Sequence, residues 1–164
     1  MSLVRMELFA RVMPGQIIPA FSLRSTSNRR FRSADLVGTW LVLAFTDGVD
    51  DPRTRRMLVN LTAVSSRLAM ARATVLAIAP VEADTGFLVE PGIAVPFPVL
   101  RDVAADVHRQ FGAVDWSGQP AASLFITDRA ERVVYRALGG LDERLPNGPE
   151  VLTLLDVARL SPRF

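Results

Sequence analysis

The sequence predicts an α/β fold, a three-layer sandwich in which a central mixed β-sheet is flanked by helices. Trp40 to Phe45 is a continuous apolar run, as a strand buried on both faces requires. Beyond it Met57, Leu58, Leu61, Val64, Leu68 and Ala71 recur at three and four, the period of one long amphipathic helix. Ala73 to Ala79 then supplies a second buried strand, parallel to the first if the helix is a right-handed crossover. Ala122 to Thr127 and Arg132 to Leu138 flank the short polar link Asp128 to Glu131, which implies an antiparallel hairpin.

The remaining elements follow in order. Residues 1–13 carry Leu3, Val4, Met6, Leu8, Phe9 and Val12 and read as an N-terminal arm or edge strand, with 14–164 as a single domain. Pro19 stiffens an extended segment and sends Phe21 and Leu23 to one face. Ser25 to Arg30 is a polar hairpin or loop, Phe31 to Ser33 suits a short strand, and Ser33 to Gly38 a turn of helix closed by glycine. Pro52 fits the first turn of the long helix, where its missing N–H costs nothing. Pro80 to Asp84 reads as a loop at the carboxyl end of the second strand, the side on which open α/β sheets place their sites. Thr85 to Glu90 suits a short helix and Pro91 to Pro98 a proline-punctuated loop. Ala104 to Phe111 is a helix with Val107 and Phe111 inward, stopped by Gly112. Gly139 to Pro149 is loop, and Glu150 to Leu160 a last helix with Val151, Leu154, Leu155 and Val157 facing in.

Composition removes several classes of function. The chain of 164 residues has no cysteine, which excludes disulfides, thiol catalysis and thiolate metal sites together. A single histidine, His108, argues against a His-based zinc site or a Ser-His-Asp triad, and it is expected on the exposed face of its helix. All 19 basic residues are arginine, which raises the pI to about 10.3 at a formal charge of only +2. The arginine clusters at 29, 30 and 32 and at 53, 55 and 56 are interspersed with acids, so no nucleic-acid partner is expected. No apolar run is long enough to span a bilayer and the start lacks the order of a secretory signal, so no membrane partner and a cytoplasmic location are expected. No cofactor and no metal is expected.

The candidate site is the corner between the first buried strand and the long helix. Asp47, Asp50 and Asp51 form an acidic loop there. Three carboxylates suit a hard cation, and they equally suit helix capping, which is the expected role. Arg53, Arg55 and Arg56 follow at once, as recruiters of an anion or as a solvated face partly neutralised by the aspartates. Asp47, Asp51, Arg53, Thr54 and Arg55 are the candidate ligand-binding residues. Trp116, in a loop between Asp115 and Ser117, reads as a half-buried anchor or an interface aromatic.

The chain resembles the peroxiredoxin family of the thioredoxin fold over residues 14–160. Gly15, Pro19, Phe21 and Leu23 match the family's opening Gly-x-x-x-Pro-x-Phe-x-Leu. Phe97-Pro98-Val99-Leu100-Arg101-Asp102 closely resembles its Phe-Pro-x-Leu-x-Asp segment, Phe111-Gly112 matches its Tyr-Gly with a conservative change, and Phe125-Ile126-Thr127-Asp128 resembles its Phe-Ile-Ile-Asp. A shorter likeness, in Ser27 to Phe31 and Gly38 to Leu43, is to peroxiredoxin-like domains attached to oxoglutarate-dependent oxygenases. The resemblance implies a thioredoxin-like, peroxiredoxin-like sandwich and a reactive cysteine in a Pro-x-x-x-Thr-x-x-Cys motif after the first buried strand. Laying Phe45 on the family's strand phenylalanine puts Asp47 at the motif proline, Asp51 at its threonine and Thr54 at the peroxidatic cysteine. Ala122 stands where family enzymes carry the active-site arginine.

The expectation is therefore a peroxiredoxin-like protein without its peroxidatic cysteine, acting as a non-catalytic binding or interaction module. The alternative is a ligand- or anion-binding protein, or a sulfur-independent enzyme, that uses the old pocket near Pro52. A homodimer is the expected assembly and a protein partner is possible, because the resemblance carries a tendency to pair and the arm is more apolar than a free tail.

Overall fold

The computed structural model describes residues 11–47, 51–81 and 94–160. Seven strands form one sheet: β1 (Ser22–Ser25), β2 (Arg30–Arg32), β3 (Trp40–Phe45), β4 (Ala73–Val81), β5 (Val99–Val103), β6 (Ser123–Thr127) and β7 (Val133–Leu138). Among the described residues four α-helices accompany them: α1 (Pro52–Ala63), α2 (Ser65–Met70), α3 (Asp106–Phe111) and α4 (Gly148–Leu160). The strand order is β2-β1-β5-β4-β3-β6-β7. β3 is interior, parallel to β4 and antiparallel to β6, with Leu43 opposite Leu76 on one side and Phe125 on the other. The sheet is mixed, as expected.

Every residue of β3 is buried, because helices cover both faces. Side chains alternate across a strand, so its odd and even residues build two different cores. Trp40, Val42 and Ala44 join Met57, Leu58 and Leu61 of α1, Leu68 of α2 and Val151, Leu155 and Ala158 of α4. Leu41, Leu43 and Phe45 join Phe111 and Val107 of α3, together with Val12, Ile18 and Phe21 of the N-terminal segment. That segment is pinned to the β6–β7 hairpin: the Gly15 N–H donates to Val133 O at 2.7 Å and the Val133 N–H to Gln16 O at 2.8 Å.

Three local expectations are corrected, and one strand is added. The long helix is two helices, broken at Val64, whose φ of −112° lies outside the helical region. There the Val64 N–H turns to Leu61 O and the Thr62 hydroxyl back-bonds to Leu58 O at 2.7 Å, both of which tighten or bend a helix. β4 runs through Pro80 and Val81, where a loop was expected, since both still pair with β5. Val99–Val103 is a strand that local pattern did not signal, because Arg101 and Asp102 are buried side by side and break any alternation. In α4, Val157 is exposed and Ala158 takes the inward place, one position on along the helical stripe from Val151 and Leu155. The expected helix at Thr85 to Glu90, the arm residues Leu3 to Phe9, and Asp50 lie outside the described residues.

Candidate functional site

The last buried residue on the β3 exit is Thr46, and the chain then turns through Asp47 toward Asp51, the N-cap of α1. The Asp51 carboxylate accepts the Arg53 backbone N–H at 2.7 Å, one of the orphan donors every helix start leaves. Pro52 occupies the first helical turn, as its fixed φ favours. Capping is therefore what Asp51 does in this structure. Burial pushes its carboxyl up, but the Arg53 N–H, the Asp47 side chain and the Arg53 charge outweigh that and hold it below the usual carboxylate range.

Thr54 lies in the first turn of α1 and is only 1% exposed. Its hydroxyl donates to Asp47 Oδ1 at 3.0 Å, and the Asp47 N–H returns to Thr54 Oγ1 at 3.4 Å. Arg53 leans out of the helix, 3.7 Å from the Asp51 carboxylate, and donates to Gly139 O across the cleft.

Above this corner is a cleft of about 480 Å³ lined by Asp47, Asp51, Arg53, Asp115, Gln119, Pro120, Ala121, Gly139, Gly140 and Asp142. Its wall at Asp115 is rigid. One carboxylate oxygen accepts the Ser117 N–H at 2.8 Å, the Ser117 hydroxyl at 2.6 Å and the Gln119 N–H at 3.1 Å. Burial pushes this carboxyl up, and those donors outweigh it and hold it low. Gly139 and Gly140 pack closely beside that wall because they carry no Cβ: one on Gly140 would sit 2.7 Å from Val114 O and 2.8 Å from Asp115 Cα, and one on Gly139 would run into Ala122 O. Among the described residues no three His, Cys, Asp or Glu side chains converge as metal ligands.

Of the sequence candidates, the fold brings Asp47, Asp51 and Arg53 to the cleft, with Thr54 buried directly beneath Asp47. Arg55 is exposed and outside the cleft lining. Ala122 is buried in the core beside Met57 and Leu58. Trp116 is 68% exposed, with the Arg11 guanidinium 5.4 Å from its ring centroid, so it is not a half-buried anchor. Asp115, Asp142 and the paired glycines were not legible as site residues, since nothing in their local sequence marks a cleft.

His108 is the largest departure. Expected on an exposed face, it is fully buried. Its Nδ1 is 2.6 Å from Asp102 Oδ2 and its Nε2 is 2.7 Å from Thr46 O. A polar ring is tolerated in a core when both nitrogens find partners. The available signal was its position between the inward Val107 and, three residues on, the inward Phe111, which puts it on the buried side of a short helix.

The AhpC/TSA family matches residues 14–136. A search of curated proteins returns no match. Solved structures of similar fold include AhpC from Mycobacterium tuberculosis, at 18% identity and a TM-score of 0.70 over 92% of this chain and 99% of that one. AhpC from Enterococcus faecalis reaches a TM-score of 0.73 at 16% identity, over 90% of this chain and 93% of that one. The peroxidoxin BcpB from Mycobacterium tuberculosis is 18% identical, with a TM-score of 0.70 over 93% of this chain and all 100% of that one.

Proposed function

The chain belongs to the AhpC/TSA family and has no cysteine, and from that premise we propose that it is a non-catalytic binding module that keeps the family's cleft without its thiol chemistry. The observation that carries this reading is Thr54. At the position the resemblance assigns to the reactive sulfur stands a hydroxyl that is 1% exposed and donates to Asp47 at 3.0 Å. Peroxide reduction needs a thiolate that attacks oxygen and becomes a sulfenic acid. A threonine hydroxyl held as a hydrogen-bond donor in the core can neither ionise at neutral pH nor cycle between those oxidation states. Ala122 offers no charge to replace the arginine of the resemblance.

The same cleft is the proposed binding surface, with Asp47, Asp51 and Arg53 at its rim. Its lining includes four carboxylates, from Asp47, Asp51, Asp115 and Asp142, against the one guanidinium of Arg53. That balance works against an anion at the α1 N-terminus, although the helix end alone would attract one. It favours a neutral or cationic polar group. The proposal includes a homodimer, with the exposed Trp116 as a surface aromatic available to a partner, and a cytoplasmic setting.

The test is a peroxide-consumption assay with hydrogen peroxide and an organic hydroperoxide, using a thioredoxin or dithiol reductant. Loss at the protein-free rate is expected for the native protein and for Thr54→Val. Turnover above background that survives in Thr54→Val would place catalysis elsewhere and overturn the reading. For binding, chemical-shift mapping with guanidinium and alkylammonium ions is expected to move Asp47, Asp51 and Gly139. Movement with phosphate or sulfate alone would favour the anion alternative.

A further inference from the structure

We propose that His108 and Asp102 form a positioning pair, which sets the rim of the cleft by holding the peptide unit that joins Thr46 to Asp47. The proposal rests on the cleft reading above for its purpose, but its geometry stands independently.

A carbonyl oxygen only accepts, so His108 Nε2, 2.7 Å from Thr46 O, carries a hydrogen. On the other side of the ring a single hydrogen lies between Nδ1 and Asp102 Oδ2, 2.6 Å apart. Asp102 is also the acceptor for the start of α3: its Oδ1 takes the Val107 N–H at 3.0 Å and its Oδ2 the His108 N–H at 2.8 Å. Whether the shared hydrogen sits on nitrogen or on oxygen, the pair as a whole is neutral. That neutrality is what lets it occupy a core otherwise built of Phe45, Phe111, Val107 and Leu100. The edge-on ring of Phe45, with centroids 5.0 Å apart and planes at 81°, fixes the imidazole from the side.

The consequence runs through one planar peptide. Thr46 C=O and Asp47 N–H belong to the same unit and point in opposite directions. Holding the oxygen on His108 therefore aims the Asp47 N–H at Thr54 Oγ1, 3.4 Å away, and the Thr54 hydroxyl in turn fixes the Asp47 carboxylate at 3.0 Å. The Thr46 N–H is tied to Ile78 O at 2.9 Å. A residue 62 positions from Thr46 thus orients the first carboxylate of the cleft.

His108 is the only histidine in the chain, so its ring signals need no assignment. The expected result in the native protein is a slowly exchanging Nε2–H with a scalar coupling across the hydrogen bond to the Thr46 carbonyl carbon. A ring with no hydrogen on Nε2, or with no such coupling, overturns the proposal. His108→Gln keeps a donor at the same reach and is expected to preserve amide exchange at Asp47. His108→Met fills the space without a donor. It is expected to speed exchange at the Asp47 amide by about tenfold, the scale of one lost hydrogen bond, while amides of β4 and β6 keep their protection. Equal exchange in the Gln and Met variants overturns the proposal. If His108→Met does not fold, the native coupling and the His108→Gln result decide it. No ligand or peroxide enters these measurements, so their failure is separate from failure of the binding reading.

Discussion

Asp51 combines a helix cap with a carboxylate at the cleft, and its two roles respond to different substitutions. Asp51→Ala removes the cap to the Arg53 N–H and is expected to cost about 1 kcal/mol of stability, read from urea unfolding. Asp51→Asn keeps an oxygen for the cap and removes the charge. Because the folded carboxyl titrates below its usual range, its stabilising contribution is present above the unfolded value of about 3.9. It is lost as pH falls through the lower folded value. The stability gap between the native protein and Asp51→Asn should therefore shrink as the pH falls below the unfolded value of about 3.9. A gap that grows on acidification would contradict the assignment. Thr54→Val is a near-isosteric change that removes the Thr54 hydroxyl's hydrogen bond to Asp47, and a loss of about 0.5–1.5 kcal/mol is expected.

At the level of elements, the contact between α1 and α4 depends on a glycine. Gly148 opens α4 against the backbone of Asn60 and the side chain of Val64, and an added Cβ would lie 2.7 Å from Asn60 O and 2.8 Å from Val64 Cγ1. Gly148→Ala must push α4 off α1 just where the helical stretch breaks, and an overpacking loss of about 1–3 kcal/mol is expected. The same helix start carries a reciprocal cap. The Glu150 N–H donates to Asn147 Oδ1 at 2.9 Å and the Asn147 N–H to Glu150 Oε1 at 2.9 Å. The Arg144 hydrogen bond, with help from the Asn147 N–H, lowers the Glu150 carboxyl to about 2. Asn147→Ala should cost about 1 kcal/mol, and Asn147→Asp should restore most of it, since both residues cap well. Equal melting temperatures for the native protein and Asn147→Ala would rule the cap out as a stabilising feature.

The whole molecule rests on two cores separated by one sheet, and the core on the α3 face is organised by aromatic rings. Phe45, Phe111 and Phe125 are fully buried, with centroids 5.0 to 5.5 Å apart. Phe111→Ala is expected to cost about 3–5 kcal/mol, a large part of the roughly 5–15 kcal/mol a domain has. It also removes a ring packed on Phe45, whose own edge meets His108, so its effect should exceed that of the exposed Val157→Ala several-fold. Assembly belongs to this scale as well. Light scattering at micromolar concentration should give a dimer mass, and a monomer at every concentration, unchanged on removing residues 1–13, would end the dimer proposal. Among the described residues no helix is long and apolar enough to cross a membrane.

Features encoded within a few residues of one another were legible before any fold was known. The apolar run at Trp40 to Phe45 had to be a covered strand, the Asp51-Pro52 step had to start a helix, and the lack of cysteine removed thiol chemistry before any fold was known. The β6–β7 hairpin followed from spacing alone. Tertiary structure decided whatever depends on partners distant in sequence. His108 is buried because Asp102 and Thr46 O, the latter 62 residues away, satisfy both its nitrogens, and no local rule can supply an acceptor that far off. β5 is a strand because β4 and β1 flank it, although Arg101 and Asp102 give it no strand pattern. The cleft exists because Asp47, Asp115 and Gly139 meet at one end of the sheet, and periodicity carries no record of such a meeting. Local chemistry selects the elements, and packing decides which polar groups among them are buried and what they hold in place.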